Sequence, residues 1–250
     1  MNHAPPSTDP APTATFPTEA GDSRAGLVLE AVALRLRPTG KILFPPLSLR
    51  IAPGTTTTLL GPSGCGKSSL LRWLGGHLED DFAASGRVLV NGSDRTDWPA
   101  EKRRIGMLFQ DAGLFPHLSV AGNLAFGLQP RVRGRRQRRR VVEEALASAG
   151  LEGFADRDPA TLSGGQQARV ALLRTLLAEP EALLLDEPFA ALDPERRAQI
   201  RAFVFARIEE RGIPTLLVTH DPRDAPGPVR HLDRTGDPAG NARGGPNSPR

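Results

Sequence analysis

The chain has 250 residues, of which 39% are hydrophobic and 24% charged, with a net charge of +4 and a single cysteine. That content is enough for one good core, rules out an internal disulfide, and includes no apolar run near the roughly 20 residues that a membrane-spanning helix needs. All but three of the 32 basic residues (Lys41, Lys67 and Lys102) are arginine, and tyrosine is absent.

Residues 1–26 are rich in Pro, Thr and Ala. They lack the basic region followed by an apolar stretch of a signal peptide, and the composition predicts a disordered extension. Leu27-Val28-Leu29 and Val32-Ala33-Leu34 predict short antiparallel strands within residues 27–60. Ile51 and Thr55 to Leu60 read as a β-branched strand run broken by Pro53-Gly54, and Lys67 to Gly75 reads as a helix. Between them lies Gly61-Pro62-Ser63-Gly64-Cys65-Gly66-Lys67-Ser68, a phosphate-loop pattern in its required setting of strand, loop and helix. Glycines leave backbone N–H groups free to face phosphate oxygens, and the helix start, Ser69 included, adds its own N–H groups and positive dipole end. Lys67 is expected to reach the β- and γ-phosphates, and the Ser68 hydroxyl to bind Mg2+. Cys65 stands inside this loop, so thiol modification is expected to block nucleotide binding.

Ile105 to Phe109 is a strand-like run ending at Gln110, followed by the segment Gly113 to Val120. The arginine run 131–140 leads into Val141-Val142-Glu143-Glu144-Ala145-Leu146, an amphipathic helix pattern with no aromatic residue interleaved for base stacking. A solvated helix face is therefore favoured over a nucleic-acid surface, with contact to anionic lipid or to a permease near the membrane as the next alternative. Leu162-Ser163-Gly164-Gly165-Gln166 opens a second glycine-rich anion nest before a helix carrying Val170, Leu173 and Leu177 on one face. Ala182 to Leu185 is an apolar stretch typical of a buried parallel strand, and the acids at its carboxyl end face a ligand crevice. Asp186 is expected to hold the metal through water, and Glu187 to orient and deprotonate an attacking water. Thr215 to Thr219 predicts another such strand, ending at His220. Residues 236–250, with Gly, Pro, Asn and Arg, are expected to be a disordered tail.

These motifs, in this order over about residues 27–233, resemble the ATP-binding cassette ATPases. The resemblance implies an α/β fold: a P-loop NTPase parallel-sheet core with an antiparallel β subdomain and an inserted α-helical subdomain. The cassette would span 27–235 and the helical subdomain about 111–165, with residues 61–110 and 166–233 forming the parallel-sheet core. It further implies that Ser163, Gly164, Gly165 and Gln166 meet the γ-phosphate of ATP held by a second copy of the chain. His220 would contact that phosphate and steady the attacking water, and Gln110 would touch Mg2+ and the same water. Residues 188–193 would cross the dimer interface with Asp193, although Ala190 stands where many relatives have serine. Cassettes usually stack adenine on an aromatic residue before the phosphate loop, and here Leu36 falls near that position.

The short spacing from Gln110 to Ser163 disfavours the chromosome-organising branch of the family, and single motif copies disfavour the tandem translation-factor branch. No acidic glycine-containing segment precedes Leu162 as in many exporters, so the chain looks like an importer ATPase of the thiamine, ferric iron, molybdate, sulfate and polyamine group. The stretch after His220 is too short for the regulatory β-rich domain many of those carry. The implied partners are an integral-membrane permease contacted through residues 113–120, an extracytoplasmic solute-binding protein reached through it, and a second copy of the ATPase. No nucleic acid is expected, and the expected location is the cytoplasmic face of the inner membrane. The alternative is a non-transport ATPase switch bound to nucleic acid or to a repair or division complex.

Overall fold

The structure is a computed structural model that describes residues 25–232 except Gln110, Ala191 and Asp193. Those three residues, nearly all of the expected N-terminal extension and the expected tail lie outside the described residues. In chain order the elements are β1 (Leu27–Leu36), β2 (Leu47–Ile51), β3 (Thr56–Leu60), α1 (Lys67–Gly75), β4 (Phe82–Val90), β5 (Ser93–Asp94), α2 (Ala100–Arg103), β6 (Ile105–Leu108), α3 (Val120–Gly127), α4 (Arg135–Ser148), α5 (Gly164–Leu177), β7 (Ala182–Asp186), α6 (Pro194–Glu210), β8 (Thr215–Thr219) and β9 (Val229–His231). They form a four-stranded antiparallel sheet in the order β2-β1-β4-β5 and a five-stranded parallel sheet in the order β6-β7-β8-β3-β9.

Side-chain patterning explains which strand goes where. β2 alternates buried with exposed residues from Leu49 to Ile51, as expected of a half-buried edge strand of an antiparallel sheet. β3 buries Thr56 to Leu59 on both faces, as a central parallel strand must. The stretch that reads in sequence as one run interrupted by Pro53-Gly54 is thus two strands in two different sheets. A second difference concerns residues 82–94, expected in the parallel core. They pair with β1 and with each other in the antiparallel sheet, with Leu27 opposite Val90 and Leu36 opposite Phe82. The physical cause is non-local, because Val88 and Val90 complete the face that Leu27, Leu29 and Leu34 already present.

Two hydrophobic clusters sandwich the parallel sheet. In β7 the alternation sends Ala182 and Leu184 towards α1 and the antiparallel sheet, while Leu183 and Leu185 point to the opposite layer. That second layer is closed by α6, whose Ile200, Val204 and Ile208 recur at every fourth residue along one face. α3 and α4 build a third cluster around Val120, Leu124, Val142 and Leu146. α5 joins the two: Ala171, Leu172 and Leu176 pack into the sheet layer, and Val170 and Leu173 into the third cluster.

α1 is anchored at its carboxyl end. Its last turn closes on Gly76 in the left-handed conformation, and the buried Arg103 guanidinium donates to the carbonyls of Trp73 at 2.7 Å and Leu74 at 2.9 Å. α3 is pinned against α5 by backbone approach: a β-carbon at Gly127 would overlap the carbonyl oxygen of Arg174. Gly127→Ala is therefore expected to lower unfolding free energy by about 1–3 kcal/mol. Urea denaturation reads this, and an unchanged midpoint would show that the two helices separate without strain.

Candidate functional site

The carboxyl edge of the parallel sheet gathers most of the expected site. β3 ends at Leu60, level with Thr219 of β8, and Asp186 of β7 is level with Val218. The loop Gly61–Gly66, the carboxylates Asp186 and Glu187, and His220 therefore leave one sheet edge from three adjacent strands.

The loop turns through Gly64 at φ 73° and Gly66 at φ 100°, both in the region that favours glycine. At Gly66 a β-carbon would also press on Leu43 Cδ1 at 2.9 Å and on the buried Phe44 ring. No side chain caps the start of α1, and its first turn holds no acidic residue. The outward N–H groups and dipole there suit a phosphate. Lys67 is buried, and its Nζ donates to the carbonyls of Gly61 at 2.7 Å and Pro62 at 2.9 Å, so the ammonium already arches over the loop. This donor set fits the polyphosphate of a nucleotide. Cys65 is 1% exposed, so a thiol reagent reaches it only when the loop opens, which narrows the expectation drawn from its position in the loop.

Ser68 Oγ donates to Asp186 Oδ1 at 3.2 Å, bringing together two of the three expected Mg2+ ligands as the hard oxygen donors this ion prefers. Burial pushes the Asp186 carboxyl above its ordinary range, with the Ser68 hydrogen bond acting in the opposite direction. The third expected ligand, Gln110, lies outside the described residues, as does Asp193. Glu187 follows Asp186 with φ 46°, an unusual backbone for a side chain of this size. Its N–H bonds to the Val218 carbonyl at 2.9 Å, and its Oε2 lies 2.7 Å from His220 Nδ1. The strained turn thus aims one carboxylate at the histidine while its neighbour faces Ser68.

The glycine-rich segment before α5 is organised differently. Ser163 is the N-cap of α5: its Oγ accepts from Gln166 N at 3.4 Å, and Gln166 Oε1 accepts from Ser163 N at 2.9 Å. This reciprocal capping box engages both side chains locally and leaves Gly164 and Gly165 as the small residues of the turn. Gly164, Phe109, Asp111, Gln167, Pro188 and Leu192 help to line an open cleft of about 420 Å³, whose walls include no residue of the phosphate loop. The structure therefore brings the loop, Ser68, Asp186, Glu187 and His220 together, while the Ser163–Gln166 turn borders a separate cleft.

Near the expected adenine position Leu36 is half-buried at the end of β1, Ile42 is exposed and Phe44 is buried under Gly66. Cross-strand pairing sets the partly buried Phe82 beside Leu36, whereas Ile42 pairs with Arg35.

Sequence reasoning missed the residues that fix the His220 loop. Asp224, 1% exposed, receives Arg197 Nε at 2.9 Å and Arg197 Nη2 at 2.5 Å. It also accepts from Thr219 Oγ1 at 3.0 Å, and Thr219 Oγ1 in turn accepts from Asp221 N at 3.1 Å. Asp221 is itself bonded by Arg223, which holds its carboxyl well below the usual range. Both neighbours of His220 are thereby tied to the first turns of α6. The only sequence signal was a pair of aspartates after the histidine, with no indication of which arginine they would meet.

Comparison with known proteins gives a consistent set of likenesses. The family profile described as ABC transporter matches residues 44–190. An uncharacterized ABC transporter ATP-binding protein, YnjD, of Escherichia coli (strain K12) is 46% identical over 207 residues, covering 83% of this chain and 94% of that protein. The Fe(3+) ions import ATP-binding protein FbpC of Rhizobium etli is 46% identical over 182 residues, 73% of this chain. The sulfate/thiosulfate import ATP-binding protein CysA of Gloeobacter violaceus is 48% identical over 179 residues, 72% of this chain. This chain spans 51% of the length of each of those two import proteins. A solved structure described as that of a dimeric bacterial ABC transporter cassette superposes with a TM-score of 0.68 at 30% identity, covering 83% of this chain and 94% of that one.

Arg197→Ala removes the bidentate partner of buried Asp224 and leaves only the more distant Arg201 guanidinium at 4.0 Å, and loss of one member of a buried pair costs about 3–5 kcal/mol. Chemical denaturation is expected to show that loss, and a variant as stable as the parent would mean that Asp224 finds water or another donor.

Proposed function

The chain belongs to the ABC transporter family, and from that premise we propose that it is the ATP-binding and ATP-hydrolysing subunit of a bacterial importer. The observation that carries the reading is the pairing at one sheet edge: Glu187 Oε2 is 2.7 Å from His220 Nδ1, one residue from the Asp186 that accepts from Ser68. An acid–base pair beside a hydroxyl–carboxylate pair, next to a phosphate cradle, is the equipment for hydrolysing a nucleoside triphosphate.

In this reading the N–H groups of Gly61 and of Ser63 to Ser69, together with the Lys67 ammonium, hold the β- and γ-phosphates. Ser68, Asp186 and Gln110 would hold Mg2+, which would neutralise charge on the phosphate oxygens when bound. Glu187 takes the proton of the attacking water, and His220, kept in place by the Glu187 carboxylate and the Asp224 network, steadies that water and the γ-phosphate. Ser163, Gly164, Gly165 and Gln166 of a second copy complete the site. Support for a dimer comes from the solved relative, which is described as dimeric. ATP would then close the pair and hydrolysis release it, with residues 113–120 passing the motion to a permease and, through it, to a solute-binding protein.

The import assignment is supported by the names of the iron and sulfate relatives, and in this reading the subunit sits at the cytoplasmic face of the inner membrane. No helix among the described residues is long and apolar enough to cross a membrane. We keep the division of the chain into a cassette over 27–235 with a helical subdomain over about 111–165.

Glu187→Gln is expected to bind ATP as the parent does while turnover falls by at least about 100-fold, with a nucleotide-dependent dimer accumulating. Phosphate release and size-exclusion chromatography read both effects, and undiminished hydrolysis by a monomer would refute the assignment. Leu36, near the position where cassettes usually place an aromatic residue, itself forgoes ring stacking worth about 0.5–1.5 kcal/mol. ATP and GTP are therefore expected to be hydrolysed at comparable rates, and a strong adenine preference in a competition assay would show that the base is read elsewhere.

A further inference from the structure

The start of α4 carries more positive charge than its surroundings balance. Arg133, Arg135, Arg136, Arg139 and Arg140 are all exposed. Arg139 and Arg140 pair with Glu143 and Glu144 one turn on, each at 2.7 Å, and Arg139 also approaches Asp156 at 3.4 Å. Arg133, Arg135 and Arg136 meet no carboxylate among the described residues. Gly134 gives α4 no side-chain cap and its first turn holds no acid, so the helix dipole adds to the same positive end. Arg135, Arg136, Arg139 and Arg140 wall an open concavity of about 490 Å³ together with Glu143.

Beside this face is an exposed aromatic ring. Arg138, the arginine that turns inwards, donates to the Ala125 carbonyl at 2.6 Å and so holds the start of α4 against the end of α3. The next residue, Phe126, is 70% exposed and meets Phe115 edge-on with ring centroids 4.8 Å apart. Guanidinium groups that meet no carboxylate among the described residues, on a helix docked one residue from an accessible ring, match a bilayer surface, where phosphates face the charge and the ring enters the boundary between headgroups and acyl chains. Nucleic acid fits less well, because no aromatic residue is interleaved within the run itself.

We propose that this arginine face binds the headgroups of anionic phospholipids, so that the ATPase touches the bilayer directly beside its permease. The proposal rests on the transport reading for its location, since Phe115 belongs to the segment assigned there to the permease.

Co-sedimentation of the full chain with vesicles tests it without nucleotide or permease. Binding is expected to vesicles of phosphatidylcholine with phosphatidylglycerol, not to phosphatidylcholine alone, and is expected to weaken as salt is raised. The triple variant Arg133→Gln, Arg135→Gln, Arg136→Gln should lose affinity for anionic vesicles by about 100-fold, on the basis of about fivefold per arginine. Its ATP hydrolysis in solution should be unchanged. Equal binding to both vesicle types, or a triple variant that binds as the parent does, would overturn the proposal, and so would duplex DNA that displaces the protein from anionic vesicles. A chain that hydrolyses ATP yet ignores anionic vesicles refutes only this inference, whereas one that binds them without hydrolysing ATP refutes only the function proposed above.

Discussion

Parallel pairing of β3, β8 and β7 is the constraint from which the site follows. The register sets Leu60 beside Thr219 and Asp186 beside Val218, so a phosphate cradle, two carboxylates and a histidine from distant stretches of sequence emerge at one edge. A slip of one residue in β7 would exchange Leu184 and Leu185 between the two hydrophobic layers and turn Asp186 away from Ser68. The cores on either side of the sheet therefore fix the chemistry as firmly as any contact within the site. Glu187 extends this control past the end of the strand, because its N–H still bonds to Val218 while its backbone bends to a positive φ.

Charge around that edge is arranged by burial as much as by pairing. Asp186 sits where desolvation opposes its ionised form, which makes a nearby cation favourable there. Asp224 is more deeply buried, and the bidentate Arg197 compensates it with a geometry that lysine could not supply. The two aspartates thus differ in kind. One is left facing a hydroxyl at the ligand edge, while the other is consumed in holding the loop on either side of His220.

Local motifs were legible in the sequence because their geometry is local. The phosphate loop, the strand ends at Asp186 and His220, and the helix starting at Lys67 all appear where spacing and residue type put them. Membership of a sheet was not legible, since whether Phe82 to Val90 joins β1 or the parallel core depends on which distant face lacks Val88 and Val90. The inward bonding of Ser163 and Gln166 was hidden for a different reason. A Ser-Gly-Gly-Gln sequence serves equally as an anion nest and as a capping box, and only the observed bonds show that both side chains are engaged in the cap. Arg197 was invisible among so many arginines, because nothing in its immediate neighbours marks the buried partner it meets.

α5 has a consequence for how the molecule can deform. One flank is cemented to α3 and α4 through Val170 and Leu173, and the other lies on α6 through Ala171, Leu172 and Leu176. A swing of the helical layer against the sheet must then slide α5 over Ile200 and Val204, a shear between small and aliphatic side chains. The same α6 carries Arg197 in its opening turns. The Ser163 end of α5 and the loop around His220 are thus joined through one helix, which packs against the first and bonds to the second.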